Sequence, residues 1–102
     1  MLIHTVLLEP ASDTAQAAFD EAMEILEQVA ANLPGMIGFH HGPNRDFERK
    51  SQAYSYGFTG LFEDRAALEA YAADPDHQRA GGLLVANCRN GADGIFVSDL
   101  EV

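Results

Sequence analysis

Apolar positions along the chain recur with two different periods, and the switches between them predict the order of its elements. Leu2 to Leu8 is a short apolar run, β-branched in part and closed by Pro10, which predicts a first strand. From Thr14 to Leu33 the period lengthens. Phe19, Met23, Leu26, Ala30 and Leu33 fall every three or four residues, the spacing that lines one side of a helix. Ser12 or Asp13 is placed to cap its start, and Pro34-Gly35 to end it. Met36 to His41 reads as a second strand, and GPNRDFERKSQ as a polar loop with turn residues Gly42, Pro43 and Asn44. Ala53 to Phe62 is aromatic and alternating, a third strand that carries Tyr56 and Phe58. A broken helical region follows, Asp64 to about Asn87. Each glycine of its Gly81-Gly82 pair costs about 1 kcal/mol relative to Ala in a helix interior, so close packing is expected there. Asn90-Gly91 supplies a turn, and Gly94 to Val102 is the last strand.

The order β-α-β-β-α-β is that of the split βαβ, ferredoxin-like fold, an α+β arrangement in which both helices cover one face of a four-stranded antiparallel sheet. In the first strand Leu2, His4, Val6 and Leu8 share one parity, and Ile3, Thr5 and Leu7 the other, so both sides are apolar. Two helices in one layer cannot cover both. A bare sheet-sized apolar patch is a liability in water, and face-to-face packing of two copies into a dimeric α+β barrel is the simplest symmetric remedy. A homodimer is therefore expected.

Composition narrows the partners. At 102 residues the chain is read as a single domain, 1–102. Sixteen acids against six bases give a formal net charge of −10, which repels phosphate backbones, so no nucleic-acid partner is expected. No apolar run is long enough for a membrane span, and MLIHTVLLEP lacks the marks of a signal peptide. The expectation is a soluble, cytoplasmic protein with no membrane partner. The single Cys88 has no partner for a disulfide, and its natural reading is a small buried residue. His40 and His41 are adjacent on a presumed strand and point to opposite faces, so they cannot share a metal. Neither a metal site nor a cofactor is predicted. The basic run Arg45, Arg49 and Lys50 lies in the loop, solvated or placed to meet an anion at a pocket mouth.

The break at YAADPDHQ, Tyr71 to Gln78, concentrates the candidate chemistry. Asp74-Pro75 is a helix start: proline suits the first helical position, and the aspartate before it accepts hydrogen bonds from free backbone N–H groups two or three residues on. His77 is then the third residue of a new helix. The positive helix end disfavours its imidazolium, whereas Asp74 and Asp76 favour it, so the sign of the net effect stays open. Tyr71 lies at i+3 from Leu68 and should point with it toward the sheet, where the kink can bring its hydroxyl near the imidazole.

These residues carry a resemblance. HTVLL near the start, LPGMIGFHHGPN after the first helix, AYSYGFTGLFEDRAALEAYAADPDHQ in the middle and FVSDLEV at the end resemble the stress-responsive A/B barrel (Dabb) family over almost the whole chain. The resemblance implies a ferredoxin-like fold and a homodimer closed through its sheets. One branch of that family comprises polyketide cyclases that close a linear chain by an intramolecular aldol condensation without a cofactor. The catalytic tyrosine and histidine of that branch fall on Tyr71 and His77. A pocket histidine of the first strand matches His4, whereas another on the third strand is replaced here by Tyr56. QRAGGLL stands where that branch has large aromatics, which implies a differently shaped cavity.

The chemistry follows from the groups. Neutral His77 would remove a proton next to a carbonyl, and the Tyr71 hydroxyl would hold the carbonyl oxygen. His4, Tyr56 and Phe58 would line the substrate side of a small apolar pocket between helices and sheet, suited to a hydrophobic or aromatic ligand. Two rivals stand beside this reading: a non-catalytic ligand-binding or stress-protection dimer, and a cofactor-free monooxygenase-like enzyme, which borrows from fold analogy alone.

Overall fold

A computed structural model describes residues 1–102. The chain runs β1 (Leu2–Leu8), α1 (Ala15–Asn32), β2 (Met36–Pro43), β3 (Tyr56–Phe62), α2 (Arg65–Ala73), α3 (Pro75–Asn87), a short 3-10 turn (Gly91–Gly94) and β4 (Ile95–Glu101). The four strands form one antiparallel sheet in the order β2-β3-β1-β4. That is the ferredoxin-like α+β arrangement, with the second helix divided in two.

Register decides which side chains meet. Leu8 stands opposite Tyr56 on β3 and Ile95 on β4, and His4 stands opposite Gly60 and Asp99. The even-numbered β1 residues turn toward the helices, where Val6 and Leu8 are buried with Phe58, Phe62 and Tyr56 of β3. Helix α1 closes over them with Phe19, Met23 and Leu26, as its spacing predicted, and with Ala22 and Val29, whereas Ala30 and Leu33 are only partly buried. Burying side chains of this size contributes on the order of 1.5–3 kcal/mol each. Ile3, Thr5 and Leu7 turn the other way, and no helix covers them. On that open face Phe96 and Leu100 of β4 are 49% and 59% exposed.

Several boundaries differ from the expectation, each for a local reason. Strand β2 continues through Gly42 and Pro43, read above as turn residues. Proline is tolerated because β2 is an edge strand with no neighbour beyond it. The register also slips between Met36 and Gly38, a bulge that takes Ile37 out of the ladder. Strand β3 starts at Tyr56 rather than Ala53, and β4 at Ile95, after the 3-10 turn. Helix α1 begins at an N-cap position held by Thr14, whose side chain makes no capping bond, so neither Ser12 nor Asp13 caps it. Ser12 instead accepts the Thr14 N–H at 3.3 Å in the turn before the helix. Gly81 and Gly82 are not close-packed: a Cβ at either would meet nothing within 4 Å. Close approach is instead permitted at Gly35 among others, at φ +84° in the α1–β2 turn, where a Cβ would come within 2.6 Å of Ala67 on α2. No helix is long and apolar enough to cross a membrane.

Candidate functional site

Helix α2 starts at Asp64, whose carboxylate accepts the Ala67 N–H at 2.9 Å, and buries Ala67 and Tyr71. It ends at Asp74 because Pro75 can neither donate to the helix nor let the residue before it stay helical. Asp74 accordingly sits in extended backbone at φ −64° and ψ 130°. It closes one helix and opens the next. Its N–H donates to the Tyr71 carbonyl at 3.1 Å, and its carboxylate accepts from the N–H groups of Asp76 and His77 at 2.8 and 3.0 Å. The cap expected of Asp74 is therefore in place, and it folds His77 back over the end of α2.

The fold brings Tyr71, His77 and His4 together. The Tyr71 and His77 rings lie 4.2 Å apart between centroids at an interplanar angle of 51°. Phe62 lies 5.0 Å from Tyr71, and His4 lies 5.9 Å from it, edge to face. Tyr71 is only 2% exposed, and its burial pushes the phenol well above the usual tyrosine range. Burial holds the His77 imidazole below its ordinary value. The Ala72 carbonyl and the Asp74 carboxylate oppose that shift, while His4 adds to it. Desolvation thus outweighs the Asp74 carboxylate and the Ala72 carbonyl and favours the neutral imidazole. Its Nδ1 is buried with no hydrogen-bond partner.

Asp99 completes the group, and sequence reasoning missed it. His4 Nδ1 donates to Asp99 Oδ1 at 2.6 Å, a bond that fixes the orientation of the imidazole. The signal was an acid inside the apolar run FVSDLEV, but its meaning depends on the β1–β4 register, which no spacing reveals. No cavity opens among these rings. The nearest is an open groove of about 530 Å³ between α2 and the β1–β4 side of the sheet, lined by Leu2, Leu68, Ala72, Asp99, Glu101 and the Arg65–Glu69 pair.

Tyr56 and Phe58 do not join this cluster. Tyr56 stands opposite Leu8, four β1 residues from His4, and its hydroxyl is 2.6 Å from His41 Nδ1. On its other side His41 Nε2 donates to Glu27 Oε1 at 2.6 Å, so α1, β2 and β3 are tied by a carboxylate, an imidazole and a phenol in series. Burial raises the Tyr56 phenol, reinforced by the nearby charges of Asp20 and Glu27. Phe58 packs against Phe39 at 5.7 Å in the same region. His40 turns to the open face opposite Thr59, so the two adjacent histidines do point apart.

The architecture and the kinked Tyr–His cluster define an α+β protein of the ferredoxin-like class with one uncovered sheet face. The sequence model of the stress responsive A/B barrel domain matches residues 2–102, and the chain belongs to that family. A solved protein of Jannaschia sp. CCS1, described as dimeric, ferredoxin-like and of unknown function, is 61% identical, with 99% of this chain and 98% of that one covered and a TM-score of 0.97. A protein of Bacteroides fragilis, also described as dimeric and of unknown function, is 18% identical over 99% and 95% of the two chains, at a TM-score of 0.79. A hydroxynitrile lyase of Passiflora edulis shares the fold at 14% identity, with 99% and 92% covered and a TM-score of 0.79. A search of curated proteins returns no match.

Proposed function

We propose that the protein is a homodimer closed through its open sheet faces, each protomer carrying an acid–base site at Tyr71 and His77. Its substrate class is a small hydrophobic or aromatic carbonyl compound, and its chemistry a cofactor-independent aldol closure of the polyketide cyclase kind. The observation that carries the reading is the buried Nδ1 of His77, which has no partner and lies one ring from a buried phenol. Leaving such an atom unpaired costs roughly 1–3 kcal/mol, a cost that a bound ligand or a transferred proton would offset.

The roles follow from protonation states. Neutral His77 takes a proton from the carbon next to a carbonyl, and the neutral Tyr71 hydroxyl donates a hydrogen bond to the carbonyl oxygen as charge develops there. The carbanion attacks a second carbonyl of the same chain, forming one C–C bond, and the imidazolium returns its proton to the new alkoxide. His4, oriented by Asp99, supports from the sheet side. Entry is by way of the groove beside Ala72 and Asp99. The dimer is supported by the apolar open face and by the dimeric description of the Jannaschia relative.

A second reading has a specific observation behind it. The rings of Tyr71, His77, His4 and Phe62 fill the space between α2–α3 and the sheet, which favours a dimer that binds a ligand without chemistry or protects under stress. The monooxygenase alternative rests on shared fold alone. The test offers linear β-polycarbonyl compounds to the wild type, His77→Ala and Tyr71→Phe, with product read by mass spectrometry. The site reading expects turnover that falls by about 10²–10⁴-fold in His77→Ala. Thermal shifts without product, or a His77→Ala variant as active as the wild type, would leave the non-catalytic dimer.

A further inference from the structure

Phe47 is 92% exposed at the tip of the β2–β3 loop, an entire phenyl ring in water. The loop that presents it is held rigidly. The Asp46 carboxylate accepts from the backbone N–H groups of Lys50 and Ser51, at 2.8 and 3.0 Å, and from the Ser51 hydroxyl at 3.1 Å. The Asn44 amide donates to the Ser51 hydroxyl and the Tyr54 carbonyl, both at 2.9 Å. Asp46 and Arg49 adopt left-handed φ values of 45° and 58°, uncommon for residues with a side chain. Within one protomer these bonds order the loop, but nothing covers the Phe47 ring.

Charge and position point to what does. Arg45, Arg49 and Lys50 flank Phe47 along the chain, with Asp46 and Glu48 between them, and make up three of the six basic residues in a chain of net charge −10. Two such acidic chains repel, and basic side chains placed where they meet lower that barrier. The returning arm of the loop lays Tyr54 edge-on against Phe96, 6.2 Å away. Phe96 belongs to the open face of the sheet, so the loop is continuous with the surface already read as the dimer interface.

We propose that this loop is an arm that docks on a second copy of the chain, with Phe47 leaving water against the partner and the three cations meeting its acidic surface. The inference rests on the homodimer reading and adds the determinant that the sheet faces alone do not supply. The chain has no tryptophan, so a Phe47→Trp variant carries one indole that reports the arm directly. Sedimentation of the wild type across nanomolar to micromolar concentrations should show a dimer, and the three cations should make its Kd depend less on salt than the repulsion of two chains of net charge −10 would by itself. Phe47→Ser should raise that Kd at least tenfold while circular dichroism of the protomer stays unchanged, because an exposed ring contributes nothing to the core. Replacing Arg45, Arg49 and Lys50 by Gln should raise the Kd most at low salt, where the repulsion of two acidic chains is least screened. Indole emission should move to the blue as the dimer forms. A wild-type dimer with unchanged Kd in Phe47→Ser, or with indole emission that stays solvent-like, overturns the arm and leaves the sheet-face dimer standing. A wild type that stays monomeric throughout overturns both, whereas an indole shifted only by anionic vesicles or by a different protein overturns the arm alone.

Discussion

Two histidine clusters lie on the helix side of the same sheet, built from the same residue types, and they differ in how completely their polar atoms are paired. At His41 both nitrogens are engaged, by Glu27 on α1 and by the Tyr56 phenol on β3. At His77 the ring lies closer to its tyrosine, 4.2 Å between centroids against 6.0 Å, but Nδ1 has no partner and burial favours the neutral ring. The first set is a clamp: three elements held by a closed chain of hydrogen bonds. The second is ordered by the Asp74 cap, the surrounding aromatics and the Ala72 backbone. A histidine beside a tyrosine does not mark a site by identity. The unpaired atom distinguishes the two.

The largest expected effect tests whether the His77 cluster is also core. Tyr71 is among the largest fully buried side chains, so Tyr71→Ala should lower stability by about 3–5 kcal/mol in urea unfolding, the range for removing a large buried aromatic. A loss below about 1 kcal/mol would mean that the ring is not packed as described. Removing only the hydroxyls should separate the clusters. Tyr56→Phe deletes the bond to His41 and should cost about 0.5–1.5 kcal/mol, whereas Tyr71→Phe should change stability by less than that and act on turnover instead. Equal costs would erase the distinction between clamp and site.

Acid titration sharpens the same contrast. The folded pKa of His77 lies below the unfolded value of 6.5, so the unfolded chain binds a proton more readily than the folded one as pH falls through that value. The contribution of neutral His77 is present above about pH 6.5 and is lost progressively between 6.5 and its lower folded pKa. His77→Gln should therefore flatten the fall in stability on that side, followed by urea midpoints at each pH. On the alkaline side Tyr71 is held neutral beyond its ordinary value of 10.0, so its phenol should ionise only as the fold opens. An absorbance titration near 295 nm that shows full phenolate while circular dichroism remains native would contradict the burial of Tyr71.

The legible parts of this molecule were those set by local chemistry. The period of α1, the strand parity of Leu2 to Leu8 and the Asp74-Pro75 break are each written within a few residues, and each stands in the fold. So does the meeting of Tyr71 with His77. What depended on register or on distant partners could not be read. Asp99 meets His4 only because β4 pairs antiparallel with β1 at that offset, and Tyr56 belongs with His41 and Glu27 because β3 places it at the far end of the sheet. The hollow expected beneath the kink also failed to follow from spacing, since whether four rings leave a gap depends on their packing. Phe47 was passed over in a polar loop because exposure is invisible in sequence.

The smallest effect per substitution on the helix side concerns the helix that carries His77, where the expected change is a gain. Gly81 and Gly82 lie inside α3 with nothing within 4 Å of where a Cβ would stand, so the packing explanation for them is gone. Alanine at both positions should stabilise the protein by about 0.4–1 kcal/mol per site, because it restricts the unfolded chain without disturbing the folded one. The added methyls enter open space, so the NMR titration of His77 should not move, and the clamp at His41 lies on other elements and should be equally indifferent. A loss of stability instead of a gain would mean that another surface occupies that space in the assembled protein. If the loss grew with protein concentration, the small residues of α3 would belong to a contact between protomers, and the helix bearing the candidate base would be shaped in part by its partner.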